Sequence, residues 1–315
     1  MKKILLSGVK PTGACHIGNY FGAMKQFVDF SQDYESYVFI ADYHALNFVQ
    51  NKREMQKIII DVLLDYLAIG LDPQKVVLFK QSDISEHTEL TWIFDTITTM
   101  PYLQRAHAYK DAIARNKEVN IGTFNYPMLM AADILLYNTD VVPVGQDQKQ
   151  HVEIARDTAQ KFNRIFGETF KLPEHMILKD VAIVPGTDGR KMSKSYGNTI
   201  PLFAEYDEIK KCVMKIVTDS TGEFPKNIYA IHKLLRPEGE LKKVYEEKKG
   251  KYKEIKEMLI EDLERFIAPM REKRKEFEKN IPKLMEILKE GKEKAKKIAS
   301  QKMEEVREKI GVKLY

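Results

Sequence analysis

Cysteine is nearly absent from this chain: two in 315 residues, Cys15 and Cys212, far apart in sequence. Such a pair forms no zinc or iron–sulfur spacing and no disulfide framework, so a reducing compartment is expected. No residue cluster carries metal-ligand spacing, and none is expected. Long apolar runs are missing as well. Met1–Lys2–Lys3 leads only into Ile4–Leu5–Leu6 before Ser7–Gly8 breaks the run, which is too short for a signal peptide. Nothing approaches the roughly 20 apolar residues of a membrane span. The expected setting is cytoplasmic, without a membrane partner. Internal repeats and low-complexity linkers are also lacking.

What is present suffices for a sizeable core in one large domain or two: 43% of residues are hydrophobic and 31% charged. The net charge of +5 is uneven, with +6 in residues 201–315 and −1 in the rest. A basic helical segment suits RNA phosphates. A solvated, ion-paired helix surface has the same composition, and charge alone leaves both open.

Short β-rich runs alternate with helical patterns over the first 170 residues. Lys3–Gly8, Tyr37–Ala41, Val76–Phe79 and Val141–Val144 read as strands, the last interrupted by Pro143. Helices are expected over Asn19–Phe30, over Met55–Leu67 with Gly70 as its stop, over 86–97 and 101–115, over Met128–Tyr137 and over Gln148–Phe166. This alternation predicts a doubly wound, Rossmann-like parallel sheet in residues 1–200, with a helical insertion at about 85–135. After residue 200 strand signals stop. Ile255 to Ile267 keep helical spacing up to Pro269, and so do Ile298, Met303, Val306 and Ile310, so residues 201–315 read as an all-α domain.

In such sheets ligands bind beyond the carboxyl ends of strands, near helix starts. Pro11–Asn19 holds that position after the first strand, and Gly145–Gln146–Asp147 after the Val141–Val144 strand. Pro11–Thr12–Gly13–Ala14–Cys15–His16–Ile17–Gly18–Asn19 is a turn running into a helix start, whose unpaired N–H groups suit phosphate. Gly18 lets a flat base approach the backbone. His16 and Asn19 add donors for charge developing on a transferring phosphorus. Far downstream, Lys191–Met192–Ser193–Lys194–Ser195 sets two lysines three residues apart beside Gly186 and Gly189, able to close on a triphosphate and stabilise departing pyrophosphate.

His16–Ile17–Gly18–Asn19 together with Lys191–Met192–Ser193–Lys194–Ser195 resembles the paired signatures of class I aminoacyl-tRNA synthetases. Asn19 replaces the usual closing histidine, a variant found in bacterial tryptophanyl members. Tyr126–Asp140 and Val142–Glu153 also resemble that branch. The resemblance runs from the first strand to the C-terminus, loosely over the last hundred residues.

The resemblance implies a tryptophan–tRNA ligase that forms tryptophanyl-adenylate and pyrophosphate from L-tryptophan and ATP, with Mg²⁺, and passes tryptophan to the 3′ end of tRNA(Trp). His16, Asn19, Lys191 and Lys194 would be catalytic. ATP would be met by Lys10 (where a glutamine is the family pattern), Pro11, Thr12, Gly18, Asn19, Gly145, Gln146, Asp147, Ile183 and Lys191–Ser195, including Met192 and Ser193. Leu6, His44, Tyr126, Met130 and Gln148 would surround tryptophan. Asp133, a lone carboxylate on an apolar helix face and costly to bury unpartnered, would accept the indole N–H. Residues 201–315 would hold the anticodon, and the protein would work as a homodimer, with RNA and not DNA as its nucleic acid. Related tyrosyl enzymes place a tyrosine hydroxyl where Leu6 stands, and an apolar wall suits indole better than phenol. The alternatives are tyrosine–tRNA ligation and a tRNA-independent adenylyltransferase.

Overall fold

Five short β-rich runs form one parallel sheet: β1 (Ile4–Val9), β2 (Glu35–Ile40), β3 (Val76–Lys80), β4 (Val141–Val144) and β5 (Glu174–Ile177), in the order β3-β2-β1-β4-β5. A computed structural model describes residues 2–11, 13–114, 119–145, 148–177, 184–218 and 224–315. Both sheet faces are covered, as buried parallel strands require. Period-two alternation sorts β2 cleanly. Val38 and Ile40 enter one core cluster with Ile17, Leu63 and Ile209. Tyr37 and Phe39 enter the other with Leu6, Met128 and Phe162.

The strand order reverses between β1 and β4. These two strands register at Leu5 against Val141. Beyond that point lies Pro143, which has no N–H to contribute to a ladder. β4 nevertheless continues through Pro143, in register with β5. The crevice that holds the candidate site opens between the parted strands, where doubly wound sheets bind their ligands.

Several boundaries differ from the sequence reading. β5 was not expected; its sequence, Glu-His-Met-Ile, is partly charged and lies at the sheet edge, where no alternation is needed. The helix expected from Met128 starts at Ile121, where Asn120 accepts the Thr123 N–H at 2.7 Å, and it runs through Pro127. The helix expected to stop at Pro269 continues over Tyr252–Glu278. Packing on both sides outweighs the one lost backbone bond at each proline. The 101–115 helix is two pieces, Met100–Leu103 and His107–Ala114. After the short helix Ile17–Asn19 the chain passes through a π-helical stretch, Tyr20–Met24, before Lys25–Phe30 resumes α geometry.

The helical last third packs closely on the sheet. In the Ile281–Lys309 helix, Ala295, Ala299, Met303 and Val306 belong to the same core cluster as Leu6 and Phe79. Gly291 lies so close to the backbone of β3 that a Cβ there would stand 1.8 Å from the Leu78 carbonyl oxygen. Lys296 and Ser300 bind the carboxylate of Glu86, and Arg307 pairs with Glu89, tying this helix to Glu86–Ile97.

Candidate active site

A cavity of about 710 Å³ opens at the carboxyl ends of β1 and β4. β1 contributes Leu6, Ser7, Gly8 and, just beyond it, Lys10; β4 and the following residue contribute Val142–Gly145. The Ile121–Leu135 helix turns Tyr126, Met130 and Asp133 toward it, at spacings of four and three that place them on one helical face. His44 and Gln148 also line it. All six side chains expected around an amino acid therefore line one cavity, with Lys10 and Gly145 beside them.

Asp133 is 1% exposed, and it is not the lone carboxylate that the sequence suggested. Gln81 Nε2 donates to its Oδ1 at 2.8 Å, and His87 Nδ1 meets the same oxygen at 2.6 Å. His44 Nε2 meets Oδ2 at 2.8 Å. Burial opposes the charge, but the hydrogen bonds from His44 and His87 prevail and hold the carboxyl at about 2. The Gln81 amide is itself oriented, because its Oε1 accepts the backbone N–H of Tyr43 at 3.2 Å. Tyr126 reaches His151 Nε2 through its hydroxyl at 2.8 Å and sets its ring edge-on to His44, centroids 6.0 Å apart. Lys10 lies over the Phe48 ring at 3.6 Å, and burial lowers its pKa.

The two signature segments meet beside this cavity rather than inside it. Ile17 N–H donates to Ile200 O and Leu202 N–H to Cys15 O, both at 3.0 Å, which locks the helix start against the segment after the lysine loop. Lys194 Nζ donates to Gly13 O at 3.0 Å. Gly18 also makes room for its neighbour. The His16 ring already occupies the space a side chain would need, with Nδ1 2.9 Å and Met192 Cβ 3.3 Å from a Cβ built there. His16 is buried; this burial, helped by the Lys194 charge, pulls its pKa down to about 4, and Nδ1 has no hydrogen-bond partner among the described residues. Asn19 Oδ1 accepts the His16 backbone N–H at 3.1 Å, leaving its amide nitrogen to donate outward.

Met192 faces inward. Its side chain is buried in the core with Val184 and Ile200, and its N–H donates to Val184 O at 2.9 Å, so only its carbonyl remains for a nucleotide. Pro11 borders a smaller cavity of about 290 Å³, shared with Lys10, Gly13 and Phe48. Lys191, Lys194 and Ser195 are exposed and Ser193 half-buried. Thr12, Gln146, Asp147 and Ile183 lie outside the described residues.

Three residues with structural roles here went unread. Asn198, 2% exposed, accepts the Ser193 N–H at 2.8 Å and donates to Asp188 at 2.7 Å and to Lys191 O at 3.2 Å, cross-bracing the lysine loop. A Cβ at Gly186 would stand 2.2 Å from Asn198 Nδ2, which explains that glycine. Gln81 and His87 are the other two, and only their distance to Asp133 reveals them. The neighbours of all three are largely polar (Lys80–Gln81–Ser82–Asp83, Glu86–His87–Thr88–Glu89, Gly197–Asn198–Thr199), so no local pattern marks them.

The chain matches the family of class I tRNA synthetases (W and Y) over residues 2–310. It is 49% identical to a tryptophan–tRNA ligase of Fusobacterium nucleatum over 316 residues, covering 98% of this chain and 97% of that one. The structure of the Campylobacter jejuni tryptophanyl-tRNA synthetase complexed with ADP and tryptophan superposes with a TM-score of 0.92 at 44% identity, covering 98% and 99% of the two chains. A tyrosyl-tRNA synthetase of Archaeoglobus fulgidus complexed with L-tyrosine superposes at 0.67 with 20% identity over 87% of this chain and 90% of that one, a likeness of fold alone. A doubly wound sheet with its cavity at the strand-order reversal, a buried aspartate on that cavity's wall and two joined signature segments agree with these likenesses: the chain belongs to the class I tRNA synthetases of the W and Y family, among the tryptophan–tRNA ligases.

Proposed function

We propose that this chain joins L-tryptophan to tRNA(Trp) in two steps, and that the residues around the β1–β4 cavity and the signature junction divide the work as follows. The indole lies against Leu6 and Met130, and its N–H donates to Asp133 Oδ2, the oxygen that His44 shares. An oxygen of the tryptophan carboxylate attacks the α-phosphorus of ATP. The new O–P bond forms as the bond to the β-phosphate oxygen breaks, giving tryptophanyl-adenylate and pyrophosphate. The attacking group is already ionised, so no side-chain nucleophile or general base is required. The residues position the reactants and stabilise charge. Neutral His16 and the outward amide of Asn19 offer donors to the transferring phosphoryl group, while Lys191 and Lys194 draw the pyrophosphate away. A ribose hydroxyl of the tRNA 3′-terminal adenosine then attacks the acyl carbon of the adenylate; the ester bond forms as the acyl C–O bond to the phosphate breaks, releasing AMP and the hydroxyl proton.

Mg²⁺ would supply charge neutralisation for the phosphates of ATP. The net +6 of residues 201–315 supports an anticodon-binding role for that helical segment. Homodimer formation is supported by apolar surface on the 86–135 helices, where Trp92 is 71% and Ile121 78% exposed. A cytoplasmic setting fits the cysteine content. Among the described residues no helix is long and apolar enough to cross a membrane.

The observation that carries this reading is a buried, ionised Asp133 on the wall of a cavity flanked by Leu6. A site built around a substrate N–H rejects a side chain lacking it by about 10⁴-fold or more. Amino-acid-dependent ATP–pyrophosphate exchange with all twenty amino acids tests it. Exchange with tryptophan alone is expected; exchange with tyrosine would overturn the specificity while leaving the fold assignment intact.

A further inference from the structure

His87 lies outside the cavity wall, fully buried at the start of the Glu86–Ile97 helix. Asp133 Oδ1 only accepts, so the 2.6 Å contact makes His87 Nδ1 a donor. His87 Nε2 then accepts a hydrogen bond from the Tyr137 hydroxyl at 2.8 Å. Tyr137 is itself fully buried, one helical turn beyond Asp133. An ionised carboxylate offers about four acceptor positions. Gln81 and His87 occupy both positions on Oδ1 from behind the wall, and His44, itself part of the wall, occupies one on Oδ2. Among the described residues one acceptor position therefore remains, on Oδ2. The helix carrying His87 is seated by Glu86, which Lys296 and Ser300 grip at 2.7 Å each.

We propose that His87 is a positioning residue for amino-acid selection: its Nδ1–H pins Asp133 Oδ1 so that Oδ2 keeps a single acceptor position directed at the ligand's ring N–H. This rests on the tryptophan reading above and extends it to a group that never touches the ligand. A mere space-filling role would require only that the imidazole volume be filled. A positioning role requires a donor at Nδ1 in particular.

Two near-isosteric replacements separate these. In His87→Asn the amide nitrogen reaches the place of Nδ1 and keeps the donor to Asp133. In His87→Gln it reaches the place of Nε2 and faces Tyr137 instead. His87→Leu removes both. The readouts are KM for tryptophan and kcat in ATP–pyrophosphate exchange, and the preference for tryptophan over its benzothienyl analogue, in which sulfur replaces the ring N–H. A hydrogen bond to a charged group accounts for about tenfold or more. H87Q and H87L should therefore raise the tryptophan KM by that factor, leave the ATP KM unchanged and flatten the analogue preference. H87N should stay within about threefold of the unaltered chain, well below the effect of losing a charged hydrogen bond. Equal effects in H87N and H87Q, or an unchanged analogue preference in H87Q, would overturn the proposal. Should H87L fail to fold, the H87N–H87Q pair still decides. If the unaltered chain shows no tryptophan-dependent exchange, the underlying reading fails as well, so the two failures are distinguishable.

Discussion

The imidazole of His16 rests on Gly18, its Nδ1 2.9 Å from where a Cβ on that glycine would stand. The signature glycine thus makes room for the signature histidine, and the two positions act as one unit. Gly18→Ala should displace the ring rather than unfold the chain. A shift of about 1 Å at a reacting centre costs about a hundredfold, and that loss is expected in the rate of adenylate formation. Pyrophosphate exchange measures it, with circular dichroism as the control; full activity in G18A would show that the ring position is immaterial.

His16 also makes stability depend on pH. Its pKa falls from 6.5 to about 4 on folding, because burial and then the Lys194 charge disfavour the cation. Between these values the unfolded chain binds a proton that the folded chain refuses, so unfolding free energy rises with pH across that window. The contribution is complete above pH 6.5 and is lost as pH falls toward 4. Asp133, depressed from 3.8 to about 2, adds a second loss only below about pH 4. Urea unfolding of the unaltered chain and of His16→Gln between pH 4 and 6.5 should show a shallower slope in the variant.

Lys194 Nζ on Gly13 O joins the two signatures in the structure, and the same ammonium is the candidate for the leaving pyrophosphate. Lys194→Ala should cut kcat for adenylate formation by about 10²–10³-fold, comparable to removing one preorganised charge-stabilising donor. Tryptophan binding, followed by its thermal shift, should be largely intact. Asn198→Ala should produce a milder loss of the same kind, because it loosens the loop while leaving both lysines in place.

Gly291 offers a test in which the sign itself decides. In an exposed helix interior, Gly→Ala stabilises by about 1 kcal/mol. Here the new Cβ would meet the Leu78 carbonyl oxygen at 1.8 Å, a backbone contact that no side-chain rotation relieves. Gly291→Ala should destabilise by about 1–3 kcal/mol, the usual range of overpacked cores. A raised Tm would mean that the last helix does not lie on β3 as closely as described.

How much was legible in advance depended on the range of each interaction. The strand of Leu6 and the helix of Met130 and Asp133 could be placed because strand alternation and helical spacing are local properties of the chain; that these residues and Tyr126, which lay outside the helix expected from Met128, surround an amino acid was what the family resemblance implied. β5 could not, because an edge strand of four partly charged residues carries no alternation, and only its neighbour β4 makes it a strand. Pro127 and Pro269 misled for the converse reason: a local rule against helix was outweighed by packing from distant segments. His87 and Asn198 were silent because a hydrogen-bonding side chain does not specify its partner.

By itself, then, the order of residues determined the α/β alternation, the parallel sheet and the two signatures, which follow from periodicity and short-range chemistry, while the cavity-lining side chains were named by the family resemblance that those signatures carry. Tertiary structure alone decided that Asp133 is triply held, that His16 fills the space over Gly18, that Met192 turns into the core and that the last helix closes against β3. Except for His16 over Gly18, two residues away, each of these depends on contacts between segments far apart in the chain, and such contacts exist only once both sheet faces are packed.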